Sequence, residues 1–491
     1  MFNILISYPN FLNLIVDFCN LSFQSGIVPD ELKVIRIVPI PKLKSPQEFN
    51  HLRPIGISHF LMALLEKIYI SKMTNFVRQK CLLSKYQFGC RRGHCTEHAM
   101  ISLIDNVKKQ LDCGHLGAIV SLDLRNAFPS VHREKLLCKL VQKFKVSDFW
   151  LRNYFSNRKQ FVQVEGGTSD TIPSLTGVIQ GSVLGPVLFT YYINDLSEAL
   201  KFSTPEIYVD DTNLLFYGSL DDLDSFMLKI NNEMRNVCAW VDSNSLILND
   251  NKTKLLLISS KIKLSKINNF KIEVNNCIIE ACSELKCLGL IIDSTLSWEG
   301  QINKCLSACY LRIYSLFKLK DCIPKTQLII VAQAVVLSLM NYMYCIWGDM
   351  NKKSSQSIEK MIRTLARLVL GKKKYDRILN LMTSELQWLL PQFLYIFKIA
   401  CLVFKLHNCK SVEYFNDYFI FNNAVHSYPT TSSNKFNVNF HINGNFGFST
   451  FHFKAIMIWN GLPNNIKEIK SYVTFKNTLK QYLLTKQIND L

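Results

Sequence analysis

The chain has 491 residues, of which 48% are hydrophobic, so it is long enough for about three domains of ~150 residues with sizeable cores. Its 57 Lys and Arg residues outnumber its 38 Asp and Glu residues, and the formal net charge of +19 favours a polyanionic partner. The basic residues are spread along the chain and the 16 cysteines form no CxxC pair, which disfavours a membrane-surface helix, a disulfide scaffold and a structural zinc site.

Two apolar stretches resemble membrane segments in length. The first, residues 1–19, lacks the basic start of a signal peptide and belongs to a charge-poor, helical region over residues 1–30. The second, residues 328–347, is interrupted by Gln333 and Asn341, which favours one buried helix. We therefore expect no membrane association, and a location in the cytoplasm and nucleus.

Short strand patterns alternate with helical patterns from about residue 31 to residue 300. Three motifs lie in the first part of this region. They are VPIPK at residues 38–42, FNHLRPI at residues 49–55 with Glu66-Lys67 behind it, and QFGCRRGHCTEHA at residues 87–99.

Two of the following strand patterns carry carboxylates. Residues 118–124 are apolar except for Ser121 and end in Asp123-Leu124, and residues 206–216 predict a hairpin whose turn holds Asp210 and Asp211. If the strands lie side by side, Asp123, Asp210 and Asp211 converge at one sheet edge, and we call these three residues the aspartate cluster. Such a cluster suits two Mg²⁺ ions about 3.5–4 Å apart. For an Asp-Asp pair alone, a solvated turn is the simpler interpretation.

The segment between the two carboxylate strands changes this balance. It reads GVIQGSVLGPVLF at residues 177–189, the glycine-rich segment, and YINDL follows at residues 192–196. On these motifs the chain resembles reverse transcriptases, and among them those of non-LTR, jockey-like retrotransposons. The resemblance continues through Asn249 and Lys252, LKCLG at residues 285–289, and WNGLP at residues 459–463. The chain departs from the family pattern at Cys90, Cys95, Ile179 and Gln301.

The resemblance implies an α+β fold of the right-hand polymerase type. Its fingers and palm, with an antiparallel palm sheet and helices, would be followed by an α-helical thumb and a C-terminal extension. The predicted divisions are an N-terminal helical extension (1–30), fingers and palm (31–300), a helical thumb (301–405) and a C-terminal extension with the WNxLP element (406–491).

The resemblance also implies how the aspartate cluster works. Asp123 and Asp210 would bind two Mg²⁺ ions, or alternatively Mn²⁺, and the carbonyl of Leu124 is a further candidate ligand. Asp211 would shape the field and touch the ion that activates the primer 3′-hydroxyl. Lys252 would protonate the leaving pyrophosphate.

Five other residues are implied in substrate binding. Lys42 and Arg53 would hold the triphosphate. Phe128 would lie under the sugar and clash with a ribose 2′-hydroxyl. Gln180 and Gly181 would let the backbone approach the nucleotide and template. Without the resemblance, core packing for Phe128 and solvation for the basic residues are the simpler interpretations.

The predicted function is an RNA-directed DNA polymerase that copies RNA into DNA by two-metal-ion nucleotidyl transfer. Its partners would be an RNA template, dNTPs, and a DNA primer or nicked target DNA, with the nick made by an endonuclease from elsewhere. Two alternatives remain: an inactive or truncated retroelement-derived nucleic-acid-binding protein, and a different two-metal enzyme such as a nuclease.

Overall fold

A computed structural model describes residues 8–409, 412–422, 435–438 and 440–490. Residues 1–7 of the predicted N-terminal extension, and residues 410–411, 423–434, 439 and 491 of the predicted C-terminal extension, lie outside the described residues. The described part combines helices with β-sheets, which confirms the predicted α+β class. The boundaries of the four predicted divisions stay predictions.

The strands of the described residues all lie before residue 294. They are β1 (Val34–Pro41), β2 (Leu52–Ile57), β3 (Leu116–Leu122), β4 (Lys159–Val164), β5 (Gly167–Thr168), β6 (Ile172–Pro173), β7 (Thr204–Tyr208), β8 (Asp211–Gly218), β9 (Lys254–Ile258), β10 (Lys271–Val274), β11 (Cys277–Cys282), β12 (Glu284–Cys287) and β13 (Leu290–Asp293). One sheet has the order β2-β1-β4-β5, with β6 beside β4. A second has the order β10-β11-β9-β3-β8-β7, and β12 and β13 form a separate hairpin.

Helices flank the sheets and continue beyond them. Those of seven or more residues are α1 (Pro9–Ser25), α2 (Phe60–Gln79), α3 (Thr96–Asp112), α4 (Arg133–Gln142), α5 (Phe149–Phe155), α6 (Gly185–Ile193), α7 (Leu223–Ser243), α8 (Glu299–Leu319), α9 (Lys325–Ala332), α10 (Lys352–Leu370), α11 (Pro391–Cys409), α12 (Phe451–Asn460) and α13 (Tyr472–Asn489). Shorter helical turns are Asp30–Lys33, Phe49–His51, Ala127–Ser130, Leu196–Ala199, Lys261–Leu264, Gln333–Leu337, Ser338–Asn341, Tyr344–Trp347, Leu379–Leu381, Met382–Leu386, Glu413–Phe415, Asn445–Phe448 and Asn464–Lys467.

The sheet that contains β3 is buried on both faces. Along β3, Ala118, Val120 and Leu122 face one hydrophobic cluster, whereas Ile119 faces a second. The first cluster includes side chains of α2 and of α4 to α7, and the second includes α3 and the helices after residue 299. Burial on both faces explains why these strands read as continuous apolar runs rather than as alternating patterns.

The helices after β13 form one packed body with the second face of that sheet. Side chains of α8, α10 and α11 share a hydrophobic cluster with Ile119 and Leu215 of the sheet. One helical stretch in the described residues, Leu379–Asn408, is long and apolar enough to cross a membrane, and 72% of its most apolar window is buried inside the protein. Packing against these helices therefore explains its apolar character.

The prediction of one helix over residues 328–347 is wrong at its end. The helix ends at Asn341, and Tyr342 takes an extended conformation before a short helical turn follows. Two hydrogen bonds of Tyr342 hold this break: its carbonyl accepts from Trp347 Nε1 at 2.9 Å, and its hydroxyl donates to the carbonyl of Leu288 at 2.6 Å. The break thus ties this region to the β12–β13 hairpin.

The C-terminal part of the chain packs against α3. The buried carboxylate of Asp105 accepts hydrogen bonds from the backbone N–H groups of Phe451 and His452 at 2.6 and 2.9 Å, and so caps α12. Beside it, Lys108 Nζ donates to the carbonyl of Ser449 at 2.6 Å. Residues far apart in sequence therefore share one buried polar interface.

The WNGLP element, residues 459–463, has a structural role at the end of α12. Asn460 Oδ1 accepts from the backbone N–H of Phe436 at 2.9 Å, and Asn460 Nδ2 donates to the carbonyl of the same residue at 2.9 Å. The ring of Trp459 stacks on Phe436 and Phe475, with centroids 5.9 and 5.7 Å apart. The side-chain amide therefore replaces the backbone partner that a neighbouring strand would supply.

We expect Asn460→Ala to lower the free energy of unfolding by about 2 kcal/mol, because both backbone groups of Phe436 lose their partner. Urea unfolding followed by circular dichroism measures this change. The exposed Asn465, in the helical turn that follows, provides the control, since Asn465→Ala should change stability by less than about 0.5 kcal/mol. Equal losses in both variants would contradict the role given to Asn460.

Candidate active site

The register of the central strands places the aspartate cluster at one edge of the sheet. β3 and β8 are antiparallel, and Leu122 pairs with Thr212. Asp123 directly follows Leu122, and Asp211 directly precedes Thr212, so the two aspartates lie beside each other. Asp210 lies in the turn that joins β7 to β8. The two strands therefore lie side by side, as predicted, and bring the three aspartates to one edge of the sheet.

The turn between β7 and β8 has a strained backbone. Val209 has a φ of +59°, an uncommon value for a β-branched residue. The segment with the QFG motif supports this turn: the N–H of Phe88 donates to the carbonyl of Ile207 at 2.8 Å, and a Cβ added at Gly89 would lie 2.5 Å from the backbone nitrogen of Val209. Glycine is thus required for this close approach.

The negative charges of the aspartate cluster repel one another. Asp210 and Asp211 are both exposed, yet partial desolvation by the surrounding protein raises the pKa of each carboxyl above its usual value. The neighbouring charge of Asp123 raises both pKa values further, and that of Asp210 raises the pKa of Asp211. The charge of Arg53 in β2 acts in the opposite direction and lowers the pKa of Asp210.

A segment before β9 holds Asp123 in place. The N–H of Asn249 donates to the carbonyl of Asp123 at 2.7 Å, and Asn249 Nδ2 donates to Asp123 Oδ2 at 2.8 Å. The exposed Lys252 brings its Nζ within 3.7 Å of the same oxygen. Leu124 and Leu248 form an antiparallel bridge in this contact. The structure therefore brings the predicted Lys252 to the aspartate cluster.

The aspartate cluster is chemically suited to a hard divalent cation. Carboxylate oxygens are the ligands that Mg²⁺ and Mn²⁺ accept, and a cation would relieve the repulsion that raises the pKa values of Asp210 and Asp211. No group of three or more His, Cys, Asp or Glu side chains in the described ranges is already arranged to hold a metal ion.

The glycine-rich segment docks against β2. The N–H of Gly56 donates to the carbonyl of Gln180 at 2.7 Å, and a Cβ added at Gly181 would lie 2.5 Å from the carbonyl oxygen of Gly56. Gly181 also has a φ of +112°, which L-residues rarely adopt. Ile179, where the family pattern has proline, lies over Gly56. The contacts of Gln180 and Gly181 with a nucleotide stay predictions.

Phe128 is held by the glycine-rich segment. Its ring stacks on Phe189 with centroids 5.0 Å apart and an interplanar angle of 12°, and its carbonyl accepts from the N–H of Val178 at 2.9 Å. A Cβ added at Gly177 would lie 2.7 Å from Cα of Pro129. The half-buried ring thus has a fixed orientation close to the end of β3, and its contact with a sugar stays a prediction.

Lys42 lies at the end of the β1–β2 hairpin. Its backbone N–H donates to the carbonyl of His51 at 2.8 Å, and its side chain is exposed. In the same hairpin, Arg53 pairs with Ile40. Both residues therefore lie on the two-stranded part of this sheet, and their role at a triphosphate stays a prediction.

Sequence analysis missed a buried polar group in the β7–β8 hairpin. Glu206 Oε2 accepts from Asn213 Nδ2 at 2.7 Å, and the same nitrogen lies 3.0 Å from the Cys287 sulfur. Burial, together with the charge of Asp211, raises the pKa of Glu206 to about 7. The two polar residues interrupt apolar strands at paired positions, a signal that becomes visible only once the register is known. Asn249 was likewise noted only as part of a motif, and its contact with Asp123 was not foreseen.

Comparison with protein families gives a match over the middle of the chain. Residues 40–292, just over half of the chain, match the family described as "Reverse transcriptase (RNA-dependent DNA polymerase)". This span contains the aspartate cluster, the glycine-rich segment and every residue that sequence analysis assigned to the site. The resemblance inferred from the motifs is therefore confirmed.

Individual relatives are distant. The probable RNA-directed DNA polymerase from transposon BS of Drosophila melanogaster is 26% identical over 384 residues, 73% of this chain and 41% of the relative. The RNA-directed DNA polymerase from mobile element jockey of the same species is 27% identical over 199 residues, 40% of this chain and 21% of the relative. The chain therefore spans about two fifths of the length of the first of these curated relatives.

Among solved structures, the chain is similar to the telomerase from Candida tropicalis in complex with a TWJ fragment of telomeric RNA. The sequences are 11% identical, the alignment covers 97% of this chain and 68% of the other, and the TM-score is 0.41.

The buried carboxyl of Glu206 should make stability depend on pH. Its pKa is raised from 4.5 to about 7 in the folded chain, so between these values the folded chain keeps a proton that the unfolded chain releases. The free energy of unfolding should therefore fall as pH rises through this window, by about 3 kcal/mol for this group. Glu206→Gln cannot titrate and should lack this part of the fall.

Urea unfolding of the unmodified chain and of Glu206→Gln at pH 5 and pH 8 measures the difference. Titration of Asp210, Asp211 and other groups is common to both chains and cancels to first order. An identical pH dependence in the two chains would show that Glu206 titrates normally.

Proposed function

The chain belongs to the reverse transcriptase (RNA-dependent DNA polymerase) family, and from this premise we propose that it is the RNA-directed DNA polymerase of a non-LTR retrotransposon. The observation that supports this most directly is the convergence of the aspartate cluster at one sheet edge inside the matched span. Relatives whose names record the same activity support the retrotransposon class. The substrates would be an RNA template, a DNA primer or nicked target DNA, and dNTPs.

In this proposal the aspartate cluster holds two divalent ions, Mg²⁺ or Mn²⁺. Asp123 and Asp210 would contact both ions, the carbonyl of Leu124 would add a ligand, and Asp211 would shape the field around the ion at the primer. When bound, such ions lower the pKa of the primer 3′-hydroxyl and neutralise the charge on the leaving phosphates.

The chain's own residues prepare this site. The hydrogen bond from Asn249 fixes one oxygen of Asp123, which limits the orientations that the carboxylate must give up on binding a metal ion. Lys252, 3.7 Å from that oxygen, would carry the proton to pyrophosphate. Arg53, whose charge already reaches Asp210, would hold the triphosphate together with Lys42.

The glycine-rich segment and Phe128 would form the nucleotide pocket. The backbone at Gly181 lies against β2, where a Cβ would not fit, and the segment held there would present Gln180 and Gly181 to the nucleotide and template. The ring of Phe128, fixed by its stacking on Phe189, would occupy the space that a ribose 2′-hydroxyl needs. The pocket would therefore select dNTPs by shape. Activity in the cytoplasm and nucleus stays a prediction.

One prediction of this proposal concerns the aspartate cluster. The purified chain should extend a DNA primer on an RNA template with dNTPs and Mg²⁺, and chelation of the metal by EDTA should stop extension. Asp210→Asn should lower the rate by at least about 10³-fold, because a neutral amide cannot balance the charge of the metal ions. Primer extension resolved by gel electrophoresis measures these rates.

Asp221→Asn provides the control, since Asp221 is exposed beyond the far end of β8 and should leave the rate unchanged. Binding of the RNA–DNA hybrid should persist in both variants. Hybrid binding without extension by the unmodified chain would instead support the alternative of an inactive nucleic-acid-binding relative.

Another prediction of this proposal concerns sugar selection. Phe128→Ala should raise the incorporation of ribonucleotides relative to deoxynucleotides by about tenfold or more, because it removes the ring proposed to block the 2′-hydroxyl. Single-nucleotide incorporation with each rNTP and its dNTP gives this ratio. Phe128→Tyr keeps the ring and should keep the selectivity. Unchanged selectivity in Phe128→Ala would assign the ring to core packing alone.

A further inference from the structure

A buried carboxylate on α2 lies against the glycine-rich segment. Glu66 is fully buried, with no accessible side-chain surface, although glutamate is rarely buried unless it is paired. Its Oε2 accepts from the backbone N–H of Val183 at 2.8 Å and from that of Leu184 at 3.3 Å. The carboxylate therefore holds the backbone directly before α6.

The other oxygen of Glu66 is occupied by a side chain from α5. The buried hydroxyl of Tyr154 donates to Glu66 Oε1 at 2.6 Å, a short distance of the kind found when an acceptor is charged. The two oxygens thus bind groups from two different parts of the chain. Removal of either oxygen would leave a buried donor without its partner.

A cation supports the tyrosine. The guanidinium of Arg158 lies over the ring of Tyr154, 3.9 Å from its centroid, and Arg158 Nε donates to the carbonyl of Tyr154 at 2.6 Å. Burial raises the pKa of Tyr154 far above its usual value, whereas the charge of Arg158 lowers it in part. The buried negative charge of Glu66 therefore has a positive group close to its hydrogen-bond donor.

These contacts fix the glycine-rich segment from both sides. The carbonyl of Gln180 accepts a hydrogen bond from the N–H of Gly56 in β2. Three residues further along the segment, the N–H of Val183 donates to the carboxylate of Glu66. Ser182 lies between these two hydrogen bonds, and its Oγ accepts from the N–H of Gly185, the first residue of α6, at 2.9 Å. The residues proposed to receive the nucleotide thus lie on a short piece of backbone that is held at each end.

We propose that Glu66 is a positioning residue for the incoming nucleotide, because it sets the backbone that carries Gln180 and Gly181. This inference rests on the proposed polymerase function. Glu66 itself would not touch the nucleotide, so its loss should affect nucleotide binding while the aspartate cluster keeps its geometry.

The main alternative is that Glu66 only stabilises the fold. The chain offers a matched control in Glu233, which is also fully buried and also accepts backbone N–H groups, those of Lys201, Phe202 and Ser203, at 2.8 to 3.0 Å. That contact lies directly before β7, at the end of the strand opposite to the turn that carries Asp210. Glu66→Gln and Glu233→Gln therefore remove comparable charges at different places.

Steady-state primer extension with varied dNTP concentration tests the proposal. Glu66→Gln should raise the KM for dNTP about tenfold, with a smaller change in kcat and an unchanged affinity for the RNA–DNA hybrid. Tyr154→Phe, which removes only one hydrogen bond, should raise KM less. Glu233→Gln should lower the melting temperature but leave KM unchanged. Amide hydrogen exchange should show lost protection at Val183 and Leu184 in Glu66→Gln only.

The outcomes separate the two proposals. If the unmodified chain copies RNA and Glu66→Gln changes KM no more than Glu233→Gln does, the positioning role is wrong and the polymerase function stands. If the unmodified chain binds the hybrid but never extends the primer, the polymerase function is wrong and the positioning role is wrong with it. If Glu66→Gln fails to fold, Tyr154→Phe decides: an unchanged KM together with lost amide protection would overturn the role.

Discussion

β3 is hydrogen-bonded on both sides, to β8 and to β9, and the position of the aspartate cluster depends on this double pairing. A slip of one residue in either pairing would turn every β3 side chain to the opposite face. Because hydrophobic clusters cover both faces, such a slip would also exchange the small Ala118 and the larger Ile119 between two packed cores. The register is therefore fixed by packing along the whole strand, and Asp123 at its end inherits that precision.

The site at this edge collects features that are unfavourable in isolation. Two aspartates have raised pKa values, and Val209 adopts a backbone conformation that a β-branched residue rarely takes. Groups from outside the hairpin offset these costs: Arg53 counters the charge of Asp210, and the segment at Gly89 packs against the turn. Local repulsion and backbone strain persist here because several distant parts of the chain support one hairpin.

The sequence allowed the site to be predicted better than its supports. The aspartates and the alternation of strands and helices follow from local patterns, and the motifs led to the family. The contact of Asn249 with Asp123 and the pairing of Glu206 with Asn213 depend on register, which no local pattern specifies. The break at Tyr342 depends on a hydrogen bond to the β12–β13 hairpin, so helical periodicity alone could not reveal it.

The glycines of the motifs show how closely β2 and the glycine-rich segment pack together. A Cβ at Gly181 would lie 2.5 Å from the carbonyl oxygen of Gly56, and a Cβ at Gly56 would lie 2.7 Å from Cγ2 of Ile179, so a side chain at either glycine would push the glycine-rich segment away from β2. Glu66 holds the same segment from α2, only ten residues along the chain from Gly56. The nucleotide pocket proposed here therefore lies where one continuous stretch of chain, from β2 to α2, contacts the backbone at and after Gln180. A change in these contacts would alter the pocket without moving the aspartate cluster, because β8 and β9 fix the register of β3 independently.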